Sequence, residues 1–525
     1  MPDPDGPPAA GDRRVGGDPG GAALDTHAPR EACGVFAIWA PGEAVANLAF
    51  YGLWALQHRG QESAGIAVAD GRGILVYKEM GLVSQVFDEA TLATLSGHLA
   101  IGHTRYSTTG ASCWENAQPS YKDRRDGRSL AVAHNGNLTN TAELASRTGR
   151  RPDASDTELI AELLAAEDGP LEDAIAAVMP SLRGAYSLVL MDERTVYGVR
   201  DPHGVRPLCL GRLPGGPPGG RWVVASETAA LDIVGASFVR EVAPGEMVAV
   251  DERGVRSRRF APATPHLCVF EHVYLARADS TLGGRSVHQV RRALGAALAR
   301  EAPAVADMVM PVPDTATSAA AGYAQESGIP FGEGLMKNRY VGRTFIQPTQ
   351  SIRQLGIKLK LNPLRETVRG RRLVVVDDSV VRGNTTRAIV GTLREAGATE
   401  VHLRITSPPV RWPCFYGIDM PTRAELIASG LATQEIAAFI GADSLGYLSL
   451  GALVAAARPP GDDPARPGLC TACFTGDYPI PLEGGPDLLA VSPPANGAGG
   501  PSTNGTAGAR RVPSPALLPV PGPRR

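Results

Sequence analysis

Arg371-Arg372-Leu373-Val374-Val375-Val376-Asp377-Asp378-Ser379-Val380-Val381-Arg382-Gly383-Asn384-Thr385-Thr386 is the stretch from which the second half of the chain is read. Leu373 to Val376 are four consecutive apolar residues, the mark of a strand buried on both faces, and they deliver two adjacent carboxylates to its carboxyl end. A short loop with Gly383 then enters a helix predicted from Thr385 to Ala396, closed by Gly397. Working outward, Met308-Val309-Met310 reads as another strand, with a helix after Thr315. Strand and helix in alternation predict an α/β unit with a parallel, doubly wound sheet. Such a turn holds a phosphate on loop N–H groups and the helix N-terminus, while Asp377 and Asp378 accept hydrogen bonds from sugar hydroxyls. Taken alone, paired acids at a strand end fit Mg2+ binding or a helix cap equally well.

Composition divides the remainder. Phe260-Ala261-Pro262-Ala263-Thr264-Pro265 carries two prolines that interrupt regular structure, and the domain boundary falls there. The first unit is therefore 33–262 and the second 266–481. The first has many short strand-like runs, such as Ser187 to Leu190 and Trp222 to Ala225, and one clear helix from Asp156 to about Ala166, a layered α+β pattern. Residues 1–32 and 482–525 are rich in Pro, Gly and Ala and poor in large apolar groups, and read as a disordered leader and tail. No internal repeat of fixed period is present.

Of 525 residues, 43% are apolar and 20% charged, which is ordinary for soluble globular domains. A net charge of -2 gives no electrostatic case for nucleic acid or an anionic membrane. No window is apolar enough to span a bilayer and the leader lacks a secretory signal, so the expectation is a cytoplasmic protein. Seven cysteines in so long a chain fit free thiols or metal ligands better than a disulfide framework.

The first unit opens on Cys33-Gly34-Val35-Phe36-Ala37-Ile38, directly after the leader. A cysteine freed as residue one carries its own general base, since an α-amino group titrates near pH 7.7 to 8. Taken by itself, the run equally fits a buried cysteine at the start of a strand. Four polar motifs follow: Gln57-His58-Arg59-Gly60-Gln61-Glu62-Ser63, His103-Thr104-Arg105-Tyr106-Ser107, His134-Asn135-Gly136-Asn137-Leu138 and Ser155-Asp156-Thr157-Glu158. Individually these read as a turn, a helix cap or surface stacking. Together, in this order, they resemble the class II glutamine amidotransferases, members of the N-terminal nucleophile (Ntn) hydrolases. The resemblance covers Cys33 to about Phe260 and implies a four-layer αββα domain. It implies Cys33 as nucleophile with its own amine as base, Asn135 and Gly136 as oxyanion hole, and Arg105 with Asp156 as glutamine clamp. That chemistry is sound: an oxyanion needs preorganised donors, the substrate carboxylate a guanidinium, and its ammonium an acid. Arg59 is expected to be structural or gating. Many members remove only an initiator methionine; here the Ala32-Cys33 bond must be cut, as in the branch whose short propeptide cleaves itself.

The stretch 371–386, with Pro311-Val312-Pro313-Asp314-Thr315, resembles the phosphoribosyl pyrophosphate (PRPP) signature of type I phosphoribosyltransferases. Lys337 to Gln347 is dense in cations without helical or strand period, which suits a lid over an anionic substrate, and Lys358 and Lys360 follow as candidates to neutralise a pyrophosphate. With Pro413-Cys414-Phe415-Tyr416-Gly417-Ile418-Asp419, Glu425 to Ala428 and Gly441 to Leu445, the chain resembles the glutamine PRPP amidotransferase family from Cys33 to about Pro481. That implies transfer of ammonia from glutamine to PRPP, giving 5-phosphoribosylamine, glutamate and pyrophosphate, the first step of de novo purine synthesis. It also implies feedback by purine nucleotides and a homotetramer or homodimer. PRPP contacts fall on Asp377, Asp378, Ser379, Val380, Val381, Arg382, Gly383, Asn384, Thr385 and Lys358. One Mg2+ per subunit falls on Thr315, Asp377 and Asp378. Cys268, Cys414, Cys470 and Cys473 match cysteine contexts of the branch that carries one 4Fe-4S cluster per subunit. Spacing by itself leaves zinc or no metal equally open at those four. Cys113 and Cys209 match nothing and are expected to be ordinary thiols.

Two other functions compete. Asparagine synthetase, another class II amidotransferase, needs an S-G-G-x-D-S loop that this sequence lacks. A non-catalytic PRPP-sensing regulator that binds nucleic acid is opposed by the near-neutral charge and the complete glutaminase motif set.

Overall fold

Gly34–Trp39 begins one residue after Cys33 and is buried at every position, because it is the middle strand of a sheet covered on both faces. The computed structural model describes residues 33–106, 113–150, 154–338, 361–418, 420, 422–458 and 468–482. Around that strand runs a seven-stranded antiparallel sheet in the order Ser237–Glu241, Cys209–Leu213, Arg221–Ala225, Gly34–Trp39, Leu99–Arg105, Ser63–Ala69 and Ile74–Met80. A second, six-stranded antiparallel sheet is ordered Gly254–Arg259, Glu246–Asp251, Val196–Arg200, Gly184–Met191, Ser129–Leu138 and Ser120–Asp123.

The two sheets face each other across Val35, Ala37, Ile101, Ala131, Ala133, Val189 and Val248. Alternate residues of the same strands point outward. Phe36 and Ile38 meet Leu53 of helix Val45–Ala55, and Leu188 and Leu190 meet Leu159 and Leu163 of helix Asp156–Ala166. Both strand faces are apolar because each sheet is an inner layer of an αββα sandwich, the arrangement the motifs implied. Helix Asp156–Ala166 has the bounds the sequence predicts. Ser155 Oγ accepts a bond from the Glu158 N–H at 3.3 Å and caps its start, which leaves the Asp156 side chain free for other work.

In the second unit four parallel strands lie in the order Met308–Pro311, Arg372–Asp377, Glu400–Ile405 and Ser444–Tyr447. Val374 and Val376 pack against helices Val287–Glu301 and Thr317–Ser327 on one face. Leu373 and Val375 pack against Asn384–Glu395 and Thr433–Ile440 on the other. Each of these fully buried valines contributes about 1.5–3 kcal/mol. The helix after the acid pair starts at Asn384, one residue earlier than the hydroxyl pattern indicates, because Gly383 at φ +76° makes the turn into it.

The units are joined closely. The Cys268 N–H bonds the Val205 carbonyl at 3.1 Å, and Ala185 and Val205 of the first unit sit in the core of the second. Among the described residues no helix is long and apolar enough to cross a membrane.

Candidate functional site

Cys33 lies where the central strand meets the neighbouring one: Gly34 is paired with Thr104, and one further step sets Cys33 beside Arg105. Its Sγ accepts from the Tyr106 N–H at 3.5 Å and donates to the Tyr106 carbonyl at 3.4 Å. Burial pushes the thiol up to about 11, against the pull of the Tyr106 bond and of Arg105, while Asp156 adds to the rise. Arg105 and Asp156 thus both act electrostatically on the Cys33 thiol, in opposite directions. His103 Nε2 meets the His134 carbonyl at 3.0 Å and ties the strand carrying Arg105 to the strand carrying Asn135 in the facing sheet. Burial pushes His103 down to about 3, so its ring is neutral and no base at neutral pH.

Asn135 is 0% exposed, and neither its Nδ2 nor its Oδ1 has a hydrogen-bond partner. An orphaned buried amide is costly unless a ligand atom completes it, which is the condition of an oxyanion donor before substrate arrives. Gly136 follows at φ +153°, with the Ala185 carbonyl standing where a Cβ would be. Asp156 is buried, and its desolvation alone would raise its pKa; His134, 3.3 Å from Oδ2, and the N–H groups of Thr157 and Leu138 bring it below the usual carboxylate value. His134 is a participant that the motif reading left without a role.

Arg59 is fully buried and bridges the units. Its Nε binds Glu227 Oε1 and its Nη2 binds Glu271 Oε2 at 2.6 Å. Glu271 also takes Arg206 Nη1 at 3.0 Å, and Arg206 donates to the Tyr416 carbonyl at 3.0 Å from Nε and 2.8 Å from Nη2. Burial opposes the Arg59 charge, but Glu227 and Glu271 raise its pKa beyond the usual guanidinium value. The loop holding Tyr416 belongs to the second unit and lies on strand Ser129–Leu138, which carries Asn135 and Gly136. Asn137 Nδ2 donates to the Phe415 carbonyl at 3.0 Å, and a Cβ on Gly417, at φ +99°, would stand 2.9 Å from the Gly136 carbonyl carbon. Glu227, Glu271 and Arg206 left no trace in sequence, whereas Phe415, Tyr416 and Gly417 stand within the P-C-F-Y-G motif.

At the second site Asp377 ends its strand and Asp378 follows it. Asp378 N–H donates to Asp377 Oδ1 at 2.9 Å and Ser379 Oγ to Asp378 Oδ1 at 2.6 Å. Burial, then the neighbouring Asp378, holds Asp377 well above the ordinary carboxylate value. Asp378 is pushed up to about 6, again chiefly by burial. Two desolvated carboxylates at a strand end form a hard oxygen donor pair whose charge a cation would compensate. The Val312 N–H bonds the Val376 carbonyl at 2.8 Å, so the turn holding Thr315 leaves the sheet at the same end. Val380 and Val381 are buried, and Arg382 pairs with Glu425 at 3.0 Å. Lys337 pairs with Asp314 at 2.6 Å. Lys358 and residues 339–347 of the expected lid lie outside the described residues.

Cys268, Cys414, Cys470 and Cys473 are all free thiols. Cys268 and Cys470 are register partners, and the N–H groups of Arg411 and Trp412 bond the Cys473 carbonyl at 3.0 and 3.1 Å, drawing in the loop that carries Cys414. Burial, then Cys268, Cys414 and Cys470, raises Cys473 well above the usual thiol value. Burial pushes Cys268 up to about 11 against the pull of Arg206. Among the described residues no three His, Cys, Asp or Glu side chains converge tightly enough for a single metal ion. The four thiols are soft donors contributed by three separate segments of the second unit. Cys209 is buried against the Ala225 carbonyl, and Cys113 is half-buried.

Residues 103–232 match the family model described as a glutamine amidotransferase domain. The amidophosphoribosyltransferase of Mycobacterium tuberculosis is 60% identical over 474 residues, covering 87% of this chain and 88% of that one. That of Bacillus subtilis is 47% identical over 458 residues, covering 86% of this chain and 95% of its own. Among solved structures, the glutamine PRPP amidotransferase of B. subtilis complexed with ADP and GMP aligns with a TM-score of 0.80 at 46% identity, over 86% of this chain and 98% of that one.

Proposed function

The chain belongs to the amidophosphoribosyltransferase family, and from that premise we propose that it releases ammonia from glutamine at Cys33 and transfers it to PRPP. The products are glutamate, pyrophosphate and 5-phosphoribosylamine, at the first step of purine synthesis. The observation that carries this reading is a buried thiol in the field of Arg105 and Asp156, with the orphaned Asn135 amide on the strand facing it, in a chain that also ends a parallel strand on two desolvated carboxylates.

At the first site the Cys33 thiol is too weakly acidic to ionise unaided, so its own amine, exposed when the leader is removed, takes the proton. The thiolate adds to the glutamine carboxamide, and the Asn135 amide and Gly136 N–H take the developing oxyanion. The amine returns the proton to the leaving nitrogen, ammonia departs, and water hydrolyses the thioester. Arg105 binds the substrate carboxylate and Asp156 its ammonium.

At the second site ammonia displaces pyrophosphate from C1 of PRPP. The turn from Ser379 to Thr385 supplies N–H groups to the phosphate, and Asp377 and Asp378 hold the ribose hydroxyls. Thr315, Asp377 and Asp378 would hold Mg2+, which when bound neutralises charge on the leaving group. Cys268, Cys414, Cys470 and Cys473 would hold a 4Fe-4S cluster, whose contribution when bound is a structural cross-link between the last described segment and the body. Ammonia stays reactive only unprotonated, so water has to be kept out of its path. Purine nucleotides act as feedback inhibitors, a reading supported by the ADP and GMP bound to the B. subtilis relative. The active form is a cytoplasmic homotetramer or homodimer with its leader removed.

Replacing Cys33 by Ala tests the two-site reading: glutamine-dependent synthesis is lost while ammonia-dependent synthesis persists. Equal loss of both would refute it. Iron and sulfide analysis of anaerobically purified protein tests the cluster, and a zinc-loaded sample would refute that assignment.

A further inference from the structure

We propose that His134 is a positioning residue for glutamine binding: its ring holds the Asp156 carboxylate and aims it at the substrate ammonium. The proposal rests on the clamp reading of Asp156. The Asp156 carboxylate has a divided set of partners. Oδ1 accepts from the Thr157 N–H at 2.8 Å and meets the Thr157 hydroxyl at 3.5 Å. Oδ2 accepts from the Leu138 N–H at 3.4 Å and faces His134 Nδ1 at 3.3 Å. The first oxygen is thus tied to its own helix, and the second is held between the Leu138 N–H and His134, the one side chain that faces it at 3.3 Å. The ring is 2% exposed. Its backbone is fixed on both sides, the N–H donating to Gln118 Oε1 at 2.7 Å and the carbonyl meeting His103 at 3.0 Å.

The far edge of the ring explains why so particular a side chain stands here. Nε2 is buried without a hydrogen-bond partner, and it lies 2.8 Å from the point a Cβ on Gly136 would occupy. One ring therefore fills the space beside the oxyanion glycine and touches the clamp acid with its other nitrogen. Bulk at Gly136 would push the ring off Asp156, so oxyanion strand and clamp are built as one unit. A buried carboxylate that loses its charge-assisted partner is left desolvated and free to turn to another rotamer. His134 does not reach the substrate; it acts through Asp156.

The test compares wild type, His134→Leu, His134→Asn, Asp156→Asn and the double variant His134→Leu/Asp156→Asn, measuring glutaminase kcat and KM with ammonia-dependent synthesis as the check on folding. Loss of a buried charge-assisted bond corresponds to roughly tenfold to hundredfold, so KM for glutamine should rise by about that factor in His134→Leu, with kcat changed less than about threefold. His134→Asn keeps an N–H donor near the Nδ1 position and should restore most of the affinity. The double variant should be no worse than Asp156→Asn. A raised KM in Asp156→Asn with an unchanged KM in His134→Leu would overturn the proposal alone. An unchanged KM in Asp156→Asn would remove the clamp reading and this proposal with it. Should His134→Leu also lose ammonia-dependent synthesis, His134→Asn decides by Cys33 labelling. The ratio of labelling by a glutamine-like diazoketone to labelling by iodoacetamide should stay near wild type, and its collapse would refute the role of the donor.

Discussion

The reactivity of Cys33 should depend on whether the leader is attached, and the pH profile of alkylation reads this directly. Burial pushes the thiol up to about 11. At pH 8 a thiol of that acidity is about 0.1% thiolate, against about 24% for an ordinary one near 8.5, a deficit of roughly two hundredfold. A more basic thiolate is also a better nucleophile, and a Brønsted coefficient of about 0.4–0.5 returns roughly tenfold to twentyfold of that deficit. The net prediction is an alkylation rate about ten to twenty times below an ordinary thiol at pH 8. Steric burial slows the reaction further but cannot change its slope with pH. With the leader retained, as verified by intact mass, the rate should climb about tenfold per pH unit through pH 10. Protein expressed from Met-Cys33, with the methionine trimmed, carries an ammonium beside the thiol, and its rate should level off near pH 8. The assay is iodoacetamide labelling of the Cys33 peptide followed by mass spectrometry. A common plateau near pH 8 in both forms would refute the claim that the amine activates the sulfur.

Asp377→Asn and Asp378→Asn should separate stability from activity. A carboxyl raised in the fold binds its proton more tightly than in the unfolded chain, so the cost develops as pH rises through the folded pKa, about 6 for Asp378, and is fully present at neutral pH. The variants should melt no lower than wild type at pH 7.5, while ammonia-dependent synthesis falls by roughly a hundredfold or more. Gly417→Ala forces a side chain into φ +99° against the Gly136 carbonyl, at about 1–2 kcal/mol for the left-handed backbone alone. Glutamine-dependent activity should fall far more than ammonia-dependent activity, and equal losses would contradict the contact. Glu271→Gln leaves Arg59 with Glu227 as its remaining carboxylate and takes from Arg206 the carboxylate it pairs with, all 0% exposed, and should lower stability by roughly 3–5 kcal/mol in chemical denaturation. The acid limb of glutaminase kcat/KM should fall near the α-amine value of about 7.7–8. It should not follow Asp156, whose pKa is lowered, or His103, pushed down to about 3.

What could be read in the sequence was local. Ser155 ahead of Asp156 and Glu158 marked a helix start that stands where expected, and the valine run before Asp377 marked a doubly covered strand. Layering in the first unit could not come from periodicity. Gly34–Trp39 and Gly184–Met191 are buried on both faces, so the alternation that normally separates core from solvent is absent, and only motif resemblance pointed to two stacked sheets. Glycine against hydroxyl at the start of Asn384–Glu395 was a one-residue question that backbone angle decided.

The contacts between the units were not legible for a different reason. Arg59 finds Glu227 at a separation of 168 residues and Glu271 at 212, and no spacing rule reaches that far. Nor does burial of four charged side chains leave a mark in composition, since Arg and Glu are as common on surfaces as anywhere. The chain that results runs from Glu227 through Arg59, Glu271 and Arg206 to the Tyr416 carbonyl, and the same loop lays Phe415 and Gly417 on the strand that carries Asn135. Such a path is costly to desolvate and gains little net stability over an apolar interface. Its physical consequence is orientation: a buried ion pair tolerates little displacement, so the loop holding Cys414 cannot shift without disturbing either the charge chain or the strand that carries Asn135. Glutamine chemistry and the cysteine-bearing segment are therefore mechanically continuous, and glutaminase kinetics should respond to substitutions at Gly417 that leave every motif residue of the first unit intact.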